Sequence, residues 1–121
     1  MKNLSKVYKE AAEIKFDYKD NLVFISDVHR GDGTIFDSFI QNKNIYKTAL
    51  AYYYKRNFTY VENGDGDELW KNKDFSEIAY SYNDIFKILN KFKEENRIYI
   101  IYGNHDIIKS EENFYIVNTR F

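Results

Sequence analysis

Apolar residues occur in short blocks along this chain, and three of the blocks consist mainly of β-branched and aromatic residues. They lie at positions 22–25, 58–61 and 98–102. Each block has the length and composition of a strand. The first and third are almost continuously apolar, which is typical of strands whose two faces are both covered by helices. The pattern therefore predicts a parallel sheet.

A helical period marks the segment between the second and third strands. Apolar residues recur there every three or four positions and predict one continuous helix. Its apolar stripe consists of Phe75, Ile78, Ala79, Tyr82, Ile85, Phe86, Leu89 and Phe92. Asp74 and Glu77 resemble a capping box at its start, and lysines at positions 91 and 93 suit the negative end of the helix dipole.

Three further elements are predicted from shorter patterns. One helix lies between the first two strands and ends near position 57, and another lies near the N-terminus. Their apolar positions are Ile45, Ala49, Leu50 and Tyr53 for the first, and Leu4, Val7, Tyr8, Ala11 and Ile14 for the second. A fourth strand is predicted at positions 114–117.

The predicted elements follow the order α-β-α-β-α-β, with the final strand after them. Crossovers in this order are right-handed, and they predict a three-layer α/β sandwich around a parallel sheet, with helices on its faces. The 121 residues are expected to build a single core. Ligands of such sheets bind beyond the carboxyl ends of the strands. Candidate functional residues are therefore expected in the turns that follow the strands.

Charge and composition exclude several classes of function. The 18 basic and 19 acidic residues give a net charge of −1, so we expect no nonspecific binding of nucleic acid or of anionic membranes. The chain has no Cys, so a metal would need oxygen and nitrogen ligands. No apolar run reaches the length of a membrane span, and the first nine residues contain no signal-peptide core. The sequence therefore predicts a soluble, cytoplasmic protein without a membrane span.

The turn after the first predicted strand contains Asp27 and His29. Side chains two residues apart in an extended chain face the same way, so these two can reach one point. A carboxylate and an imidazole together suit a divalent transition metal. Alone, the pair is weak evidence, because a histidine beside a turn is more often solvated or hydrogen-bonded than a metal ligand.

The turns after the other two predicted strands carry the sequences GDGDE at 64–68 and GNHD at 103–106. Glycine flexibility and Asx turns explain part of both segments as turn chemistry. Three acids within four residues, however, repel one another unless a cation balances them. The chain has two histidines, and both directly follow predicted strands at the same end of the sheet. This coincidence favours a shared metal site.

Taken together, the sequences DVH at 27–29, GDGDE at 64–68 and GNHD at 103–106 resemble the D-x-H, G-D-x-x-[DE] and G-N-H-[DE] blocks of the calcineurin-like metallophosphoesterases. Their order and their β-α-β-α-β context agree over residues 22–107. Trp70, two positions after Glu68, is similar to the subgroup that contains the UDP-2,3-diacylglucosamine hydrolases. The resemblance implies metal-dependent hydrolysis of phosphomonoesters or phosphodiesters by a metal-activated water.

The resemblance also implies a role for individual residues. Asp27 and His29 would bind a first metal ion. Asp65 would bridge two ions and take part in catalysis, and Asn104 would bind the second ion through its side-chain oxygen. His105 would act catalytically beside the leaving group. The cofactors implied are divalent metal ions of the Mn²⁺, Fe²⁺ or Fe³⁺, and Zn²⁺ type.

Four other charged residues lie in or beside these motifs. Glu68 and Asp106 match acidic positions around the metal ligands, where they would orient a ligand or His105. Arg30 is a candidate phosphate contact, although a solvent-facing arginine is the competing interpretation. Asp67 is expected to be a solvated residue of the turn.

The chain departs from the family pattern after the third motif. The family's later histidine blocks complete both metal sites, whereas no histidine follows His105. We therefore expect residues 1–121 to form a single, incomplete domain, the first half of a four-layer α/β/β/α sandwich, with about one metal ion bound. A missing second sheet would leave an apolar face, which predicts self-association into a homo-oligomer.

Two classes of function stay open. One is a metallophosphoesterase whose phosphoester substrate the motifs do not identify. The other is a non-catalytic module, either a cation-binding fragment that self-associates or a phospho-acceptor receiver domain. A receiver domain would have no use for His29, Asn104 and His105, so the sequence disfavours it.

Overall fold

The computed structural model describes residues 3–71 and 74–107. In this part of the chain, three strands form one parallel sheet: β1 (Leu22–Ile25), β2 (Thr59–Asn63) and β3 (Ile98–Ile101). Their spatial order is β1-β2-β3. The predicted α/β class with a parallel sheet is therefore confirmed, with β2 displaced toward its C-terminus relative to the prediction.

Four α-helices accompany the sheet. They are α1 (Leu4–Glu10), α2 (Lys43–Lys55), α3 (Phe75–Ser81) and α4 (Asn83–Glu94), and a short 3-10 turn at Ile40–Asn42 leads into α2. The predicted cap of α3 is present, because the Asp74 carboxylate accepts a hydrogen bond from the Ser76 backbone N–H at 2.9 Å. The N-terminal helix is shorter than predicted and ends at Glu10.

The single long helix predicted from the apolar stripe is wrong, because the helix breaks at Tyr82. Its backbone angles there are φ −114° and ψ 27°. The Ser81 carbonyl accepts a hydrogen bond from Lys43 Nζ at 2.8 Å, and the Tyr82 hydroxyl donates to Asp37 at 2.6 Å. These polar contacts to a distant segment hold the break, while the apolar stripe continues through both helices.

The hydrophobic core lies on one face of the sheet. Successive side chains of a strand point to opposite faces, and one alternate set packs against α2 and α4. The sheet contributes Val23, Ile25, Tyr60, Ile98 and Ile100 to this core, and the helices contribute Leu50, Ile78, Ile85, Phe86, Leu89 and Phe92. This packing holds the three strands in register and so fixes where the turns beyond them lie.

The other face of the sheet carries Phe24, Val61 and Tyr99, which lie side by side in register. Phe24 is 63% exposed. In the described residues, α2 and α4 pack against the opposite face, and the complete sandwich stays a prediction. The continuously apolar pattern of β1 does not mean that both of its faces are buried. The strand predicted at 114–117 lies outside the described residues.

Among the described residues, no helix combines the length and the apolar composition needed to cross a bilayer.

Candidate metal centre

Backbone hydrogen bonds join the turns that follow the three strands. The N–H of Asp27 donates to the Gly64 carbonyl at 3.0 Å, and the N–H of His29 donates to the Asp65 carbonyl at 3.0 Å. The Gly64 N–H in turn donates to the Ile101 carbonyl at the end of β3. The parallel pairing thus continues past the strands, which brings all three sequence motifs to one edge of the sheet.

Three candidate metal ligands adopt left-handed backbone conformations. The φ angles are 55° at Asp27, 54° at His29 and 52° at Asp65. Such conformations cost residues other than glycine on the order of 1–3 kcal/mol each and concentrate at functional sites. Three such conformations at one edge of the sheet indicate that these turns do more than reverse the chain. They also direct the three side chains toward one another.

Asp27, His29 and Asp65 bring potential ligand atoms within 4.8 Å of one another. His29 Nε2 lies 3.7 Å from an Asp27 carboxylate oxygen. Asp27 is exposed and the other two residues are half-buried. Two carboxylates and one imidazole form a donor set whose charge and chemistry fit a divalent transition metal.

Glu68 fixes the orientation of both histidines. Its two carboxylate oxygens accept hydrogen bonds from His29 Nδ1 at 2.8 Å and from His105 Nδ1 at 2.9 Å. Burial opposes ionisation of Glu68, but the hydrogen bonds from His105 and His29 outweigh it and hold the pKa of the carboxyl below its ordinary value. Because an ionised carboxylate only accepts, each Nδ1 carries a proton, and Nε2 is the nitrogen of His29 that could face a metal.

The same Glu68 carboxylate forms a second cluster of possible ligand atoms with His29 and His105, also within 4.8 Å. This cluster shares His29 with the first one. Both Glu68 oxygens already accept hydrogen bonds from the rings. Glu68 therefore anchors the two imidazoles, and its role behind metal ligands stays a prediction.

His105 lies at the centre of the contacts between the second and third motifs. Its backbone N–H donates to the Asp65 carboxylate at 2.8 Å. Its ring meets the His29 ring edge to face, with centroids 4.7 Å apart. The Trp70 indole stacks on His105 with centroids 3.8 Å apart and an interplanar angle of 24°. The structure thus places His105 directly beside the Asp27, His29 and Asp65 donors.

Asp106 connects the second and third turns. It is fully buried and accepts hydrogen bonds from the backbone N–H groups of Gly66, at 3.0 Å, and Gly103, at 2.7 Å. It therefore ties the backbones of the two turns together. Gly103 is required by close approach, because a Cβ at this position would collide with the Asp65 carboxylate.

The prediction that Arg30 contacts phosphate is wrong, and so is the interpretation of it as solvent-facing. Arg30 is 1% exposed, and its five N–H groups donate to Glu62, Asp67 and Tyr46 at 2.7–3.2 Å. Burial lowers the pKa of the guanidinium, but Asp67 and Glu62 outweigh this and raise the pKa well above its ordinary value. Arg30 therefore has no donor left for a ligand.

Asp67 is buried as well, so its interpretation as a solvated turn residue is wrong. Its carboxylate pairs with Arg30 in a two-point contact at 2.7 and 3.1 Å. Glu62, the second partner, was missed among the candidate residues. Its signal in the sequence is an acid directly after the apolar residues Tyr60 and Val61 of β2, because a buried acid requires a buried cation.

Asn104 is exposed in the turn that follows β3, between Gly103 and His105. This position lies at the same edge of the sheet as the other candidate ligands. Its role as a ligand to a second ion stays a prediction.

Comparisons with protein families, with curated proteins and with solved structures find no match to this chain. The resemblance to the calcineurin-like metallophosphoesterases therefore rests on the three motifs alone.

Proposed function

We propose that the carboxyl edge of this sheet binds a divalent metal ion and hydrolyses phosphoesters, the activity of the calcineurin-like metallophosphoesterases that the three motifs resemble. The single observation that carries the proposal is the convergence of Asp27, His29 and Asp65 within 4.8 Å, with both histidines anchored on Glu68. A turn needs neither a shared carboxylate behind two imidazoles nor three non-glycine residues with positive φ.

Asp27, His29 and Asp65 would hold the ion. A divalent ion supplies Lewis acidity at this edge: it lowers the pKa of water near it and neutralises charge on phosphoryl oxygens. Glu68 keeps the His29 ring turned so that Nε2 faces the Asp27 carboxylate. This hydrogen bond also raises the basicity of the ring toward a metal.

His105 is the candidate proton-transfer residue. Glu68 holds its Nδ1–H, which leaves Nε2 to exchange a proton with the leaving-group oxygen. The hydrogen bond from its backbone to Asp65 fixes the distance between this ring and the metal donors. No Cys is present for covalent catalysis, and the proposal requires no nucleophilic side chain.

The proposal is tested by hydrolysis of p-nitrophenyl phosphate and bis-p-nitrophenyl phosphate with Mn²⁺. We expect slow release of p-nitrophenol, because the described donors suffice for one ion. Asp65→Asn and His105→Ala should each lower the rate about 100-fold or more, to background, since one lost electrostatic element costs this much. Asp17→Asn, an exposed carboxylate before β1, is the control and should keep the rate.

Two outcomes contradict the proposal. Hydrolysis that survives both EDTA and Asp65→Asn would exclude the metal mechanism. Tight Mn²⁺ binding without any hydrolysis would favour the second candidate function.

The second candidate is a non-catalytic cation-binding module that self-associates. Two observations favour it: Arg30 is unable to contact a phosphate, and Phe24 is exposed on the edge strand β1 of an apolar sheet face. Exposed apolar faces of this kind promote association. Light scattering at increasing concentration tests it, with Phe24→Lys expected to return the chain to a monomer.

A further inference from the structure

The indole of Trp70 forms part of the wall of the candidate metal centre. It stacks on His105, whose ring also touches the ring of His29. His105 therefore contacts Trp70 on one side and the residues nearest the metal donors on the other. The turn backbone supports this placement, since the Leu69 N–H donates to the His105 carbonyl at 3.0 Å.

Trp70 is nevertheless 63% exposed. An indole that served only to cover His105 would gain most by burying both of its faces, because large aromatic side chains stabilise a fold in proportion to the area they bury. Here most of the ring surface faces solvent at the mouth of the site. Such a ring offers a flat apolar surface to a second flat ring.

We propose that Trp70 binds the leaving group of the substrate by stacking, and that the preferred substrates are phosphoesters whose leaving group carries a flat aromatic ring, such as a nucleoside or an aryl alcohol. This inference rests on the proposed function, because it places the phosphoryl group at the Asp27, His29 and Asp65 donors. The ring of the leaving group then lies over the indole, and the ester oxygen lies beside His105.

The geometry explains how one substrate reaches both places. His105 contacts the Trp70 indole directly, and its backbone N–H is bonded to Asp65. A leaving group that extends from the ester oxygen past His105 therefore reaches the indole next. Base stacking on an aromatic side chain is tolerant of ring identity, so the selection is for a flat ring rather than for one base.

Trp70 is the single tryptophan of the chain, so its fluorescence reports on this wall alone. The test titrates the Mn²⁺-loaded protein with adenosine 5′-phosphate, phenyl phosphate and glycerol 3-phosphate. The first two carry different rings, and the third carries the same phosphoryl charge without a ring. We expect the two aromatic esters to quench the fluorescence and to bind about 10-fold tighter than glycerol 3-phosphate.

Substitutions test whether the preference depends on Trp70. Their binding is measured by calorimetry, because the two Trp70 variants lack the fluorophore. Trp70→Leu should bind the aromatic esters and glycerol 3-phosphate with about equal affinity. Trp70→Phe should keep part of the preference for the aromatic esters. Tyr80→Leu, which removes an exposed ring from α3, should leave the preference unchanged.

The outcomes separate the two proposals. Binding of all three esters with equal affinity, without quenching, would overturn the stacking role and leave the phosphoesterase proposal standing. Binding of none of them in the presence of Mn²⁺ would overturn both.

Discussion

Replacing Arg30 by lysine tests whether this residue holds the fold together or serves the site. Arg30 donates five hydrogen bonds, two to Glu62, two to Asp67 and one to Tyr46, all at 2.7–3.2 Å. Lysine keeps the charge but has three N–H donors on one atom, so it cannot reproduce the planar two-point contacts.

The magnitude follows from the bonds that Arg30→Lys removes. At least two buried acceptors lose their donor, and each costs about 1–3 kcal/mol, so the loss is about 2–6 kcal/mol in the free energy of unfolding. A domain of this size has a total stability of about 5–15 kcal/mol. The variant should therefore fold, but with a clearly lower urea midpoint.

Urea unfolding followed by far-UV circular dichroism measures the difference. Arg56→Lys is the matched control: Arg56 is exposed at the end of α2, and its replacement should change stability by less than about 0.5 kcal/mol. If Arg30→Lys is no less stable than Arg56→Lys and instead loses affinity for phosphoesters, the assignment of Arg30 to the buried network is wrong.

Three further predictions concern the packing around the site. Leu89→Ala in α4 empties a fully buried position and should cost about 2–5 kcal/mol in urea unfolding, whereas a cost below about 1 kcal/mol would contradict the assigned core. Tyr82→Phe leaves the Asp37 carboxylate without the hydroxyl donor at the helix break and should cost about 1–3 kcal/mol, with unchanged stability as the contradicting result. Burial opposes ionisation of Asp84, but contacts from Lys47 and Lys43 hold the pKa of its carboxyl below the ordinary value. The wild type should therefore be more stable than Asp84→Asn near neutral pH and should lose this advantage as the pH falls through the range in which carboxyl groups titrate. A stability difference that is the same at neutral and at acidic pH would refute the ion-pair explanation.

The strands and the class of fold could be predicted because they depend on local composition. Blocks of β-branched and aromatic residues predicted β1 and β3 within one residue at each end. The break at Tyr82 could not be predicted, because its cause is long-range: Lys43 and Asp37 reach it from about 40 positions away in the sequence. A periodic apolar stripe carries no information about such contacts.

In the candidate site, too, some features could be predicted from the sequence and others could not. Asp27, His29, Asp65 and His105 meet because parallel strands end at one edge, which follows from the order of the elements. The burial of Arg30 and Asp67 depends on which face of the turn each side chain takes, and three positive φ angles reverse that alternation near the strand ends. The alternation of side chains along a strand therefore predicts the direction of the first polar side chain after the strand. It does not predict the directions of side chains farther along the turn.

The open sheet face was anticipated from the resemblance and not from the strand pattern. The apolar run of β1 predicted burial on both faces, yet Phe24 is 63% exposed. Val61, its partner in the next strand, is buried. Exposure thus differs between neighbouring strands on one face of the sheet, which the apolar pattern of a single strand does not predict.

Binding of Mn²⁺ to the wild-type chain and to Asp27→Asn, followed by electron paramagnetic resonance of the free ion, tests whether this edge of the sheet holds a metal ion. Asp27 is exposed, so its amide variant should fold normally while it removes the negative charge of one of the three donors. We predict about one Mn²⁺ per wild-type chain, at least about 10-fold weaker binding by Asp27→Asn, and wild-type binding by the control Asp17→Asn. Equal binding by all three proteins, or no binding by any, would contradict a metal centre built from Asp27, His29 and Asp65.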